Sequence, residues 1–190
     1  MLLSRANKGL LNRAQIWSMQ LRGTAMRLCM PTVLAGARGL LVGRNVEMTV
    51  YGDLIVGARV ILAAGCTIEV GPRGRLVIGD DVFIGRYSVI RAHELIEIAE
   101  RCNIAEHCTI RDQDHQINPD LRLGETDAVS APVRLERNVW VGAGARLLRG
   151  ARVGEGSVVA ANAVVRGEFP ARTIIGGVPA RILRTVEGEK

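Results

Sequence analysis

The stretch VGAGARLLRGARVGEGSVVAANAVV, residues 141–165, places an aliphatic residue at every sixth position: Val141, Leu147, Val153, Val159 and Val165. Four residues after each of the first four stands a small one: Ala145, Ala151, Ser157 and Ala163. A period of six matches neither an α-helix, whose side chains recur near 3.6, nor a continuous strand, whose side chains alternate with period two. It fits one short strand and one turn per repeat, with a large side chain pointing inward and a small one where the chain bends. Three such units close a triangular coil. Stacked coils bury a continuous aliphatic column, and no coil is stable alone.

The same rhythm runs outward from this block. Ile78, Ile84, Ile90 and Ile96 keep step, two residues are gained, and Ile98, Ile104 and Ile110 resume it. Upstream, Val42 and Met48, then Val56, Leu62 and Ile68, follow it less cleanly. Gly57, Gly79, Gly85, Gly142 and Gly154 follow the aliphatic residue, where permissive backbone angles or lack of bulk help the corner. Cys66, Cys102 and Cys108 each lie four after an aliphatic, in the small slot, and read as small buried hydrophobes. With no CxxC pair or metal-finger spacing, the four cysteines fit reduced thiols.

Composition supports the same architecture. Hydrophobic residues make up 48% of the 190-residue chain and aromatics only 3%, so the core is built of Val, Ile, Leu and Ala, with 22 Gly for turns. The expected class is an all-β solenoid with a helical N-terminal segment at residues 1–38. First coils occupy about 39–112, a protruding loop about 113–135, and the remaining coils 136–190, with a tail from about 166. A loop rich in Asp, Asn, Pro, Arg and Gly that interrupts a regular solenoid is the place to look for function.

Charge is unevenly placed. Arg5, Lys8, Arg13, Arg22, Arg27, Arg38 and Arg44 all precede the first acid, Glu47, leaving 18 of the 25 basic residues against all 19 acids in the rest. No nucleic-acid motif accompanies the basic stretch and stacking residues are scarce, so nucleic acid is not expected as a partner. No run reaches the roughly 18 to 20 apolar residues of a membrane span. Leu28 to Ala37 is apolar, but about 27 residues precede it and Pro31 interrupts it, poor geometry for a secretory signal. A cytoplasmic protein is expected.

The first block ends in Ile110-Arg111-Asp112-Gln113-Asp114-His115, Asn138-Val139-Trp140-Val141-Gly142 reopens the coils, and Gly176-Gly177-Val178-Pro179-Ala180-Arg181 lies near the end. Together these resemble the hexapeptide-repeat acyltransferases that modify sugars, antibiotics and surface polysaccharides. The resemblance covers roughly residues 42–165 and implies a left-handed parallel β-helix, a hand that the periodicity does not reveal and that departs from the usual right-handed crossover. It implies a homotrimer with active sites between subunits, acetyl-CoA as donor, no metal, and a saccharide or glycan hydroxyl or amine as acceptor.

In that family a His stands five residues after the last aliphatic position before the loop, which here is His115. A base must take the proton of the attacking hydroxyl or amine, and His has the pKa for it near neutrality. Asp112, Asp114 or a backbone carbonyl would orient the ring, and a backbone N–H would stabilise the oxyanion. By resemblance, backbone at Ala143 and Ala161 lines the pantetheine arm, and Arg181 and Arg184 hold the nucleotide phosphates. Arg166 stands where the family has Thr-Lys and is a substitute contact. Trp140 is an active-site wall or a coil cap. On the acceptor side Gly85, Arg86, Tyr87, Arg91 and His93 are expected on the coil above the catalytic one. Gly85 and His93 replace the Asn and Asp of the simple-sugar enzymes, which points away from a simple neutral sugar and toward an anionic acceptor. His107 reads as an outward, solvated side chain.

Two other readings compete. A β-helical carbonic anhydrase needs several metal-ligating His on adjacent coils, and only His93, His107 and His115 exist, at separations that do not match. A non-catalytic scaffold is the other. Leu10, Ala14, Trp17 and Leu21 recur at helical spacing beside Arg13 and Arg22, which makes an amphipathic helix. Such a helix either packs on its own β-helix or a neighbouring subunit, or lies on an anionic membrane, peripheral at the inner face.

Overall fold

The computed structural model describes residues 13–31, 34–116 and 128–186. One helix, α1 (Arg13–Cys29), precedes a solenoid of six three-stranded coils. The first coil comprises β1 (Leu41–Val42), β2 (Glu47–Val50) and β3 (Asp53–Val56), and the second β4 (Ile61–Leu62), β5 (Thr67–Val70) and β6 (Arg75–Ile78). The third comprises β7 (Phe83–Ile84), β8 (Val89–Ala92) and β9 (Leu95–Ile98). In the fourth, β10 (Asn103–Ile104) and β11 (Thr109–Arg111) are followed by a hairpin of β12 (Gln113–His115) and β13 (Ala128–Ser130) before β14 (Val133–Leu135) closes the coil. The fifth is β15 (Trp140–Val141), β16 (Arg146–Leu147) and β17 (Arg152–Val153), and the sixth β18 (Val158–Val159), β19 (Val164–Val165) and β20 (Glu168–Phe169). Then β21 (Thr173–Gly177) starts another turn and β22 (Ala180–Thr185) runs back antiparallel along it.

First strands of successive coils pair in parallel to make face 1, second strands face 2, and third strands face 3. The interior is the column that the repeat implies. Val141, Leu147, Val153, Val159, Val165, Ile84, Ile90, Ile104 and Ile110 are all buried, as are the small residues Ala145, Ala151, Ser157 and Ala163. The two-residue gain between Ile96 and Ile98 has a simple cause: both point inward from one four-residue strand, β9, whose burial alternates. Strands on faces 2 and 3 of the first three coils are four residues long, but shorten to two or three afterwards, so the prism is wider at its N-terminal end.

Corner glycines act through lack of bulk. A Cβ on Gly142 would stand 2.7 Å from the Ala161 nitrogen, and one on Gly85 would overlap the backbone of Ala105. The left-handed backbone falls two residues later instead, as at Tyr87 and Gly144.

Two boundaries move, and one packing face differs. Val133–Leu135 belongs to face 3, in register with β9 and β17, so the coil resumes earlier than the expected loop end at 135. The tail expected from 166 still contains coil: β20 pairs with β17 and β21 with β18. On α1 the packing face is not the one the spacing suggests. Met19 is buried against Leu41 and Ile61, Met26 and Met30 pack on the core, and a Cβ on Gly23 would overlap the Leu40 carbonyl. Ala14 is exposed, as are Trp17 (64%) and Leu21 (52%), while Leu10 lies outside the described residues. Methionine reaches into an irregular surface better than a bulky aromatic, which explains why the Met face wins. Arg22 fixes the helix further by donating from Nε to the Val42 carbonyl at 2.8 Å.

Burial pushes the Cys66 and Cys102 thiols up to about 11 and raises that of Cys108, whereas Cys29 is exposed. A thiol reagent at pH 8 is therefore expected to titrate Cys29 alone in the native protein and all four cysteines after unfolding. Fast reaction of the other three in the native state would contradict the packing of the small slots.

Candidate active site

The interruption leaves the solenoid at the corner between faces 2 and 3. β11 ends at Arg111, and Asp112, which follows it, is fully buried. Its carboxylate accepts hydrogen bonds from three consecutive backbone N–H groups of the coil below: His93 at 2.8 Å, Glu94 at 2.8 Å and Leu95 at 2.8 Å. These are charge-assisted bonds that compensate the burial of the charge and lock the loop's first residue onto the preceding turn. Asp112 makes no hydrogen bond to His115. Expected beside the acceptor or as the orienting acid, it anchors the loop through these bonds, its side chain buried while those of Asp114 and His115 are not.

His115 closes the short hairpin, opposite Ala128 in the antiparallel ladder, and its side chain is exposed. Asp114, next to it, is held by two guanidinium groups: Arg166 Nη2 at 2.7 Å and Arg149 Nε at 3.4 Å. Both arginines sit at the same corner, in the turns after β16 and β19. Arg166, expected among the coenzyme A contacts, pairs with Asp114 in this chain, its turn lying on the hairpin's side of the prism.

The expected acceptor cluster divides in two. His93 lies at the hairpin's corner, its Nδ1 over Gly71, and Arg91 on face 2 pairs with Glu69 at 3.1 Å. Gly85, Arg86 and Tyr87 lie at another corner, between faces 1 and 2. Closeness in sequence groups all five, but a side of the triangle separates the two sets. His107 is exposed but not merely solvated: its ring stacks on Tyr87 with centroids 5.3 Å apart and planes 17° from parallel. The two residues are 20 positions apart, and only coil closure superposes them. The three histidines therefore do not converge, His107 being at a different corner from His93 and His115, and no group of three or more metal-ligating side chains gathers among the described residues.

Ala143 and Ala161 also lie at the corner between faces 1 and 2, one coil apart, where Asn162 N–H donates to the Ala143 carbonyl at 2.8 Å. Trp140 is 54% exposed on face 1, in register between Asn103 and Val158, within the stack rather than at its end. Arg181 and Arg184 are exposed on β22, at the edge of face 1. The residues expected at the site thus fall into two sets: His115 with Asp114 and Arg166 at one corner, and Ala143, Ala161, Trp140 and the β22 arginines on and beside face 1.

Comparison with known proteins gives consistent results. A family model described as bacterial transferase hexapeptide, six repeats, matches residues 132–167. The chain is 32% identical over 152 residues to a Mycobacterium tuberculosis protein named as a probable acetyltransferase, covering 77% of this chain but spanning only 50% of that protein. It is 31% identical over 150 residues to the Escherichia coli protein WbbJ, named for lipopolysaccharide biosynthesis O-acetyl transfer, covering 73% of this chain and 74% of that one. Among solved structures, the Bacillus cereus N-acyltransferase AntD in complex with dTDP and 3-hydroxybutyryl-CoA superposes with a TM-score of 0.73 at 20% identity, over 86% of this chain and 88% of that one. A hexapeptide-repeat acetyltransferase from Vibrio cholerae gives a TM-score of 0.60 at 24% identity, over 91% and 93%. The solenoid is a left-handed parallel β-helix of this kind.

Asp112→Asn replaces one acceptor oxygen by an amide that faces backbone donors. It is expected to lower stability by ~1–3 kcal/mol in urea unfolding, and an unchanged midpoint would show that the carboxylate does not hold this corner.

Proposed function

The chain belongs to the hexapeptide-repeat acetyltransferase family, and from that membership we propose that it moves an acetyl group from acetyl-CoA to a hydroxyl or amine of a saccharide or glycan precursor, with His115 as general base. The observation that carries the role of His115 is its setting. The residue before it is clamped by Arg149 and Arg166, the corner beneath is locked by Asp112, and the imidazole itself is exposed. A base held on a rigid platform and open to a ligand loses little freedom on reaching the attack geometry. His115 takes the acceptor's proton as its oxygen or nitrogen attacks the thioester carbonyl, and then returns it to the departing thiolate. Asp114, carrying two guanidinium partners, sets the direction of the hairpin rather than the tautomer of the ring.

The donor lies along the other half-site, where the small side chains of Ala143 and Ala161 let the pantetheine approach the backbone and Arg181 and Arg184 meet the phosphates. Since two corners of one rigid prism do not meet, the complete site forms where the His115 corner of one subunit faces the Ala143–Ala161 corner of its neighbour, in a homotrimer. His115→Ala is expected to cut turnover by about 10² to 10⁴ with little change in thermal stability. Co-assembling it with Ala161→Trp, itself blocked for the donor, is expected to restore part of the activity, because some interfaces then combine one intact half from each chain. Full activity in His115→Ala alone overturns the base assignment, and absence of rescue overturns the shared site.

A peripheral membrane contact has its own support. α1 uses its Met face on the solenoid, leaving Trp17, Leu21 and Leu28 (76% exposed) as a stripe on the other side, within a basic N-terminal segment. That pairing of apolar stripe and positive charge suits an anionic lipid surface. Vesicles containing phosphatidylglycerol are expected to retain the protein and to release the Trp17→Ser/Leu21→Ser variant. Equal retention of both would exclude α1 as the contact.

A further inference from the structure

Between α1 and the corner that joins faces 1 and 2 lies a cavity of about 700 Å³, within the size range of small-molecule sites. Its floor is apolar, formed by Met19, Ile61, Ala63 and Phe83. Arg22 reaches it from the helix, Arg44 and Arg86 from the coils, and Glu106 is the carboxylate on its wall. Among the described residues no carboxylate pairs with Arg44 or Arg86. One wall is the stacked pair Tyr87 and His107.

That pair stands on two successive left-handed turns. At the corresponding turn position of successive coils stand Asn45, Gly65, Tyr87, His107, Gly144 and Asn162, all with positive φ. Asn and Gly adopt this backbone readily. Arg59, Arg101 and Arg172 adopt the same backbone at the corner of faces 3 and 1, so the left-handed turn comes with the coil, and what Tyr87 and His107 add to it is a pair of stacked rings. Gly65 leaves the room for Tyr87, since a Cβ there would overlap its ring. In a chain with two Tyr and two Phe in all, one of each faces this cavity.

We propose that this cavity binds a nucleoside diphosphate, the carrier portion of an activated saccharide, with the base against the Tyr87–His107 shelf and the diphosphate between Arg44 and Arg86. The aromatic shelf supplies a stacking surface that any planar base can use, and the unpaired guanidinium groups supply the bidentate donors that phosphate oxygens need. An apolar floor enclosed beneath a helix suits a compact ligand better than a long lipid chain. That the ligand carries the acetyl acceptor rests on the acetyl-transfer reading, but its binding does not. α1 then becomes part of the acceptor site rather than only a cover for the first coils.

The test is calorimetry with uridine diphosphate on the full chain, with coenzyme A present at saturation so that the donor site is filled. Uridine diphosphate is expected to bind, and inorganic pyrophosphate to bind more weakly. Tyr87→Asn is expected to weaken uridine diphosphate by about tenfold or more, the size of one lost stacking contact, without loss of melting temperature, because Asn already occupies this turn position at 45 and 162. Arg86→Gln is expected to weaken it comparably. The proposal is overturned if uridine diphosphate does not bind, if Tyr87→Asn binds it as tightly as the parent, if pyrophosphate binds equally well, or if farnesyl diphosphate binds in its place. Binding of coenzyme A alone separates the two readings: coenzyme A without uridine diphosphate removes the cavity's role and leaves acetyl transfer standing, whereas the converse removes acetyl transfer and leaves the cavity.

Discussion

Each coil hydrogen-bonds only to the coil below and the coil above, so a residue's height and corner follow from its place in the six-residue cycle. The parallel ladders leave the Cα of a corner glycine such as Gly85 against the backbone of the next coil, and they bring the inward aliphatic residues into one dry column. The rest of the molecule inherits this constraint. Function cannot be placed inside, because the column is filled, and it cannot be placed across the prism, because the faces do not bend. It is confined to corners and to what the chain adds at them.

Two additions exploit the corners. The hairpin at the corner of faces 2 and 3 departs from the ladder, so its first residue needs another source of rigidity, which Asp112 provides by gathering three N–H donors that the turn at His93–Leu95 leaves pointing at it. Asp114 extends the same principle outward with Arg149 and Arg166. The other addition is α1, which covers face 1 of the first coils and turns the corner beside Tyr87 from a convex edge into a cavity. The hairpin and the cavity under α1 both come from departures from the repeat, whereas Ala143 and Ala161 lie on its regular turns.

Ion pairs on the outer faces are a lesser part of the design. Arg59 with Asp81 at 2.6 Å, and Arg137 with Glu155 at 2.8 Å, link adjacent coils. The Arg59 guanidinium holds the Asp81 carboxyl below its ordinary value. These side chains are largely solvated, where such pairs contribute little to stability, so burial of the aliphatic column remains the main force holding the coils together.

The sequence by itself determined the inward column, because the residues that face the core recur at a constant interval and need no knowledge of their partners. It also determined the interruption at His115, because loss of the aliphatic repeat after Ile110 is local. It did not reveal which face of α1 packs, where Met19 and Met26 prevail over the more hydrophobic-looking stripe of Trp17 and Leu21. It did not reveal the partners of Asp112, the clamp of Asp114 by Arg166, or the stack of His107 on Tyr87. Those contacts join residues 17 to 19, 52 and 20 positions apart, as the number of residues per coil and the inserted hairpin dictate. Which side chains share a corner is decided only when the coils close, and for that reason the tertiary structure alone separated the expected site into two halves and placed a cavity beside one of them.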